Sequence, residues 1–289
     1  MIVGIIVGIV AVAVIVGFVF VNQPSFGRAP QGERLERIKK SPHYKDGEFR
    51  NLHSTMMMTS QKGRLGAFWG FLFKQETDLR PEKEIPVIKT DLSKISKDEN
   101  VLVWFGHSSY LIQTGGKRIL VDPVFCMASP VSFVNKPFKG TELYTPDDMP
   151  DIDYLVISHD HWDHLDYNTV KKLKDRIGAV ICPLGVGEHF EYWGFDKERL
   201  IELDWNEDAN LAPGFMIHCL PARHFSGRRL TANQSLWASF LLEAPSQKIY
   251  IGGDGGYDTH YAEIGNRFPG IDLAILENGQ YNEEWSTPV

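Results

Sequence analysis

Cysteine is scarce in this chain. Cys126, Cys182 and Cys219 are the three present, none in a CxxC spacing, which leaves neither a disulfide framework nor a cysteine-built structural zinc site. All three are expected to be reduced, buried thiols in a reducing compartment. Positive charge is also in deficit: 30 lysines and arginines face 37 aspartates and glutamates, a net charge of -7. Nucleic acid is therefore not expected as a partner, since binding a phosphate backbone needs a basic footprint. No Lys or Arg precedes Arg28, so the apolar opening lacks the basic start of a secretory signal. At 43% hydrophobic content disorder is not the default, and 289 residues suffice for one large core or two small ones.

What the opening does have is an unbroken apolar run from Met1 to Val21. About twenty residues at about 1.5 Å each cross a hydrocarbon core of about 30 Å, so an uncleaved, single-pass membrane anchor is expected. Arg28, Arg34, Arg37, Lys39, Lys40 and Lys45 follow it, and the positive-inside rule then places the body in the cytoplasm. Gly4 and Gly8 form a GxxxG that would let two anchors pack as a homodimer. Residues 22–100 read as an irregular juxtamembrane arm broken by Pro24, Pro30, Pro42, Pro81 and Pro86. The arm carries an apolar patch, Leu65 to Phe73, whose Phe68, Trp69, Phe71 and Phe73 either pack on the body or lie in the lipid interface. Met56 to Met58 read as apolar filler.

From Val101 the texture changes to short strands with turn punctuation, and the globular body is expected to begin there. Strands are predicted at Val101–Phe105, Tyr110–Gln113, Arg118–Val121, Tyr154–Ile157, Ala179–Cys182, Leu200–Leu203, Phe215–Leu220, Leu236–Leu242, Lys248–Ile251 and Leu273–Leu276. Helices are predicted from an Asp166 cap to about Arg176, over Glu188–Trp193 up to Gly194, and over His260–Arg267. Strands mixed with helices in this order suggest an α/β (α+β) domain of two sheets sandwiched by helices.

The apolar run ending at Ile157 delivers Ser158-His159-Asp160-His161-Trp162-Asp163-His164, three histidines and two aspartates in seven residues. Single histidines seldom ligate, but this density marks a metal site. In an extended loop alternate side chains share a face, which puts His159, His161 and Asp163 on one side and His164 on the other, enough for two metals. Imidazole and carboxylate suit zinc, and an open coordination position leaves room for an activated water. Two further strand ends carry ligand-type residues: His224 within Pro221 to Arg228, and Asp254 between the glycine pairs of Gly252 to Tyr257, where it can bridge two cations. His107, Arg223 and Arg228 are candidates for contacts to a substrate anion. The plainer alternative has His107 bonding a turn and the arginines pairing with surface carboxylates.

The HxHxDH run, the later His224 and then Asp254 resemble the metallo-β-lactamase superfamily. The runs Trp104-Phe105-Gly106-His107-Ser108, Val121-Asp122-Pro123, Pro221 to Arg228, Leu236-Trp237-Ala238-Ser239-Phe240 and Gly253 to Tyr257 resemble its branch containing N-acylphosphatidylethanolamine-hydrolysing phospholipase D and bacterial relatives. The resemblance covers about Phe26 to Trp285. It implies an αββα four-layer sandwich over residues 101–289, with His159, His161 and His224 on a first zinc, Asp163 and His164 on a second, and Asp254 bridging. It further implies that Asp122 accepts a hydrogen bond from a ligand imidazole. The branch has a last histidine ligand after the position matching Gln280-Tyr281, and here no histidine follows His260. His260 falls on a predicted helix and is not expected to replace it. One tightly held zinc and a weak or absent second are therefore expected, in a domain incomplete at its C-terminus.

The implied chemistry is hydrolysis by a zinc-bound hydroxide, with Asp163 or Asp254 taking the proton and no serine or cysteine nucleophile. The anchor favours a lipid phosphodiester of the N-acylphosphatidylethanolamine type. The enzyme alternative is a lactonase of a phosphorylated sugar lactone. The alternative from another class is a truncated, inactive zinc-binding relic.

Overall fold

The opening apolar run forms one helix, α1 (Ile2–Val21), with a mean hydropathy of 3.2 and no buried residue, long and apolar enough to cross a membrane. In this computed structural model, residues 2–54, 80–131 and 134–278 are described. The patch at Leu65 to Phe73, Met56 to Met58, and Gln280-Tyr281 lie outside the described residues.

Past α1 the chain turns through Pro24–Phe26, forms α2 (Gly32–Ile38) and pairs two short strands, β1 (Tyr44–Lys45) and β2 (Glu48–Phe49). This part of the arm is more ordered than its prolines suggest, because tertiary packing supplies what propensity lacks. Ile38 and Phe49 are fully enclosed and belong to the core between the two sheets. In packing, then, the body does not begin at Val101. Leu92, in the 3-10 turn Leu92–Lys94, is enclosed by a different cluster.

Six strands form the first sheet: β3 (Val101–Gly106), β4 (Ser109–Thr114), β5 (Lys117–Val121), β6 (Ile152–Val156), β7 (Ile177–Pro183) and β8 (Leu200–Leu203), in that spatial order. The first three make an antiparallel meander, and β5 through β8 run parallel. Parallel neighbours need crossovers, and α3 (Tyr167–Leu173) and α4 (Gly187–Tyr192) lie in two of them. The second sheet has five strands: β9 (Asp208–Ala212), β10 (Phe215–Leu220), β11 (Ser239–Ala244), β12 (Gln247–Ile251) and β13 (Leu273–Ile275), with α5 (His260–Arg267) between the last two.

The inner faces of the sheets meet in one core that includes Ile112, Ile119, Val156 and Ile181 from the first and Ile217, Phe240, Leu242 and Ile249 from the second. Outside the first sheet, Leu165, Val170, Leu173 and Phe190 cover Leu111, Leu155 and Val180. Outside the second, Ile264 and Phe268 cover Leu220, Leu241 and Tyr250. The result is the four-layer αββα sandwich implied by the resemblance.

Strand readings in the body shift at two places that matter for the site. β9 is not legible in the sequence: Asp-Ala-Asn-Leu-Ala has little β propensity, and it is a strand only because β10 pairs with it across a bulge. β11 starts at Ser239 rather than Leu236, because Leu236 donates its N–H to Leu184 O (2.7 Å) and Ala238 to Ser158 O (3.0 Å), strapping this segment to the first sheet. Among the cysteines, Cys182 and Cys219 are buried but Cys126 is exposed, which corrects the expectation that all three are enclosed.

Asp166 shows how the loop after β6 is held. Its enclosed carboxylate accepts from Asn168 N (3.0 Å) as the cap of α3, from Cys126 N (2.8 Å) and Met127 N (3.1 Å), and from Thr169 Oγ1 (2.5 Å). An Asp166→Ala change strands several buried donors, so thermal unfolding in detergent should show a loss of about 2–4 kcal/mol.

Candidate metal centre

Every chemistry-bearing loop leaves the two sheets at the same edge. Asp122 follows β5, residues Ser158 to His164 follow β6, His224 follows β10, Asp254 follows β12, and the β3–β4 turn carries His107. Crevices at the carboxyl ends of parallel strands are where open sheets bind ligands.

The loop after β6 is not extended. His164 N and Leu165 N both donate to His161 O (3.1 and 2.8 Å), closing a turn. Alternation therefore fails after His161, and Asp163 joins His164 rather than the side of His159 and His161. The grouped ligand atoms are His159, His161 and His224 in one set, His107, Asp163 and His164 in a second, and His159, His164 and Asp254 in a third, each within 4.8 Å. The third set shares members with the other two and lies between them. His260, on α5, joins no such set among the described residues.

In the first set His159 Nε2 lies 2.8 Å and His224 Nε2 3.2 Å from His161 Nδ1. Tetrahedral zinc–nitrogen bonds of about 2.0–2.1 Å would set such nitrogens about 3.3 Å apart, so this donor set fits a small divalent cation. The rings are also in the right protonation state. Burial pushes all three below the ordinary imidazole range, His224 to about 3, so each offers a lone pair at neutral pH.

The second set is charged. Burial disfavours the Asp163 carboxylate, but its hydrogen bond from His107 and the nearby His164 outweigh this and bring it to about 2. Asp254 is likewise held below the usual carboxylate range, against burial, by His164 and His224. Burial pulls His164 down, yet Asp254 and Asp122 together raise it well above the imidazole range. His164 Nδ1 lies 2.9 Å from Asp122 Oδ2, and its Nε2 lies 3.1 Å from Asp254 Oδ1 without making a hydrogen bond. A buried ring nitrogen facing a carboxylate in this way fits a cation that displaces the ring proton and is shared between them. Asp122, at φ +40°, also accepts from Ser158 N (2.8 Å) and Ser158 Oγ (2.6 Å), so one carboxylate fixes both the start of the loop and the His164 ring.

The three candidate substrate contacts separate. His107, at φ +46° and with Trp104 Nε1 donating to its carbonyl, is half-exposed and 3.4 Å from Asp163 Oδ2. Arg223 is half-buried and donates to Tyr257 O (2.9 Å). Arg228 is a correction: it is 2% exposed, donates to Ser25 O, Asp160 O and Leu165 O, and stacks on Trp162 and Trp193. A guanidinium so enclosed secures the backbone and does not reach a substrate.

Two residues at the site give no readable signal in the sequence. Asn51 brackets His224, donating to its carbonyl (2.8 Å) and accepting from its N–H (3.1 Å). Glu277, two residues past β13, accepts from Gly255 N (3.1 Å); burial and Asp254 push it up to about 6. Both come from segments of ordinary composition, and only tertiary folding brings them here.

Residues 117–288 match the family described as the Beta-lactamase superfamily domain. The chain belongs to the β-lactamase superfamily of metal-dependent hydrolases. An uncharacterized protein of Mycobacterium tuberculosis is 38% identical over 86% of this chain and 67% of its own length. An N-acyl-phosphatidylethanolamine-hydrolyzing phospholipase D of Caenorhabditis elegans is 32% identical over 63% of this chain and 54% of its own. A metal-dependent hydrolase of Pyrobaculum aerophilum is 26% identical over 61% of this chain and 70% of its own. The chain thus spans about two thirds of the mycobacterial relative and about half of the worm one.

For this hydrolase centre, Asp122→Ala should weaken binding of a second metal equivalent about 10- to 100-fold and spare the first, read by chelator competition. Acid should destabilise the metal-free protein. His159, His161, His189 and His224 all have lowered folded pKa values, so the unfolded chain takes up their protons first as pH falls below about 6.5. His164 has the opposite sign: its contribution is present at low pH and lost as pH rises through its raised value. Glu277, pushed up to about 6, acts with the same sign as His164 in this range; four groups outweigh two, so the melting temperature in chelator should drop between about pH 7 and about pH 5.

Proposed function

We propose that this chain is a membrane-anchored, zinc-dependent phosphodiesterase of phospholipase D type that cleaves N-acylphosphatidylethanolamine-like lipids. The observation that carries the lipid reading is a run of ring contacts. Phe20, in the last turn of α1, meets Phe26 edge-on at 5.3 Å, and Phe26 meets Trp162 at 4.9 Å. Trp162 sits between His161 and Asp163. A helix long enough to span a bilayer therefore ends against the metal loop, and a site held there meets lipid at high effective concentration. The name of the worm relative supports the same substrate class. The basic residues following α1 favour a cytoplasmic body.

His159, His161 and His224 would hold one cation, and Asp163 and His164 a second, with Asp254 between them. Such cations, when bound, lower the pKa of coordinated water to about 7 and stabilise charge on substrate oxygens. Asp163 or Asp254, both ionised, would take the proton as water oxygen bonds to phosphorus and return it to the alcohol oxygen as the bond from phosphorus to that oxygen breaks. His107 holds Asp163 on the open side of the site, where the substrate phosphate also arrives.

Zinc-loaded protein in detergent should release N-acylethanolamine and phosphatidic acid from N-acylphosphatidylethanolamine, and leave phosphorylated sugar lactones unopened. Lactone opening with no lipid cleavage overturns the assignment. His161→Ala should abolish both turnover and tight zinc retention, the latter read by metal content.

A further inference from the structure

We propose that the turn Pro24–Arg28, where α1 joins the body, is a working part of the metal centre: through His189 and Asp160 it sets the position of the His224 loop. The inference rests on the reading of His159, His161 and His224 as metal ligands and is independent of the substrate.

Asp160 is the residue between two of those ligands, and it points away from them. It is 5% exposed, and its Oδ1 accepts from Gly227 N (2.9 Å), three residues past His224. Its Oδ2 accepts from Ser235 Oγ (2.7 Å) and lies 3.3 Å from His189 Nε2. One carboxylate thus ties the loop bearing His159 and His161 to the loop bearing His224. A carboxylate so enclosed needs several donors, because burying it without them is costly.

His189 can support Asp160 only as the tautomer protonated at Nε2. The turn selects that tautomer. Arg28 N–H points at His189 Nδ1 (3.1 Å), making Nδ1 the acceptor and leaving the ring proton on Nε2, toward Asp160. The approach requires glycine before Arg28: Gly27 is at φ +66°, and a Cβ there would collide with the His189 imidazole. The rest of the turn is fixed by the same elements. Trp193 Nε1 donates to Pro24 O (2.8 Å), Arg228 Nε to Ser25 O (2.8 Å), and Arg229 Nη1 to Gly27 O (2.6 Å). Arg28 Nε adds a bond to the enclosed Glu188 (2.6 Å).

A strap that merely holds the N-terminus down would use these contacts for fold stability alone. A positioning role adds a specific requirement at 189, an acceptor toward Arg28 and a donor toward Asp160. Glutamine meets it and leucine does not. The test uses the full chain in detergent micelles, with zinc affinity read by competition with a chromophoric chelator and ligand geometry read from the visible spectrum of the cobalt-substituted protein. His189→Leu should weaken the tightest metal about 10- to 100-fold and alter the cobalt spectrum, as loss of groups supporting metal ligands does elsewhere. His189→Gln should restore most of both, and Gly27→Val should behave as His189→Leu. If Gly27→Val does not fold, the two changes at 189 decide. The inference is overturned if His189→Leu binds zinc and cobalt as the unaltered chain does, or if His189→Gln is as damaged as His189→Leu. An unaltered chain that binds no metal overturns the ligand reading and this inference with it, whereas normal metal behaviour without lipid cleavage overturns the substrate assignment alone.

Discussion

One imidazole nitrogen with two others at hydrogen-bonding distance, as His161 Nδ1 has in His159 Nε2 and His224 Nε2, is an unfavourable arrangement in a protein interior. Lone pairs face each other, no proton separates all three, and burial forbids relief by charging the rings. His159, His161 and His224 stay together because the scaffold leaves them no alternative. The first two ride on a loop closed by the turn from His161 O, and the third is bracketed by Asn51. Such preorganisation suits a cation, which replaces mutual repulsion by shared attraction.

The scaffold achieves this with enclosed carboxylates used as staples. Asp122 fixes Ser158 and His164, Asp160 fixes Gly227 and Ser235, and Asp166 fixes Cys126, Met127 and the first turn of α3. Each accepts several donors, so each orders more chain than one apolar contact would. Together they stiffen the edge of the sandwich where loops would otherwise be the most mobile part. The segment following α1 is drawn into this frame, giving Phe26, Ile38, Phe49 and Asn51 to the body. The apolar helix α1 and the hydrolase domain are consequently not separate modules joined by a loose linker.

The charges at the site divide along the same lines. The three-histidine set is neutral, and the set containing His107, Asp163 and His164 carries ionised groups of both signs. Asp254 lies against His164 and near His224, so it couples the two. The sequence places all these residues in motifs but says nothing of this division, because a pKa depends on burial and neighbours rather than on residue type.

Read alone, the sequence offered the candidate ligands, two sheets with helices, most strand and helix positions and the apolar span, because each is a local pattern of periodicity, capping or motif spacing; the four-layer class came with the family resemblance. Alternation misjudged Asp163, since a hydrogen-bonded turn replaces period two with a reversal. Propensity missed β9, which exists by pairing. Arg228 read as a substrate contact because an arginine beside a ligand histidine has the right chemistry, and only packing shows it enclosed between two tryptophans. Asn51, His189 and Gly27 carried no signal at all, and Asp160 was legible only as part of the metal motif, not as a tie between loops. Their roles are contacts between segments distant in the chain, and such contacts are decided by tertiary structure, where close packing and the need to pair buried polar groups select which of many ordinary residues meet.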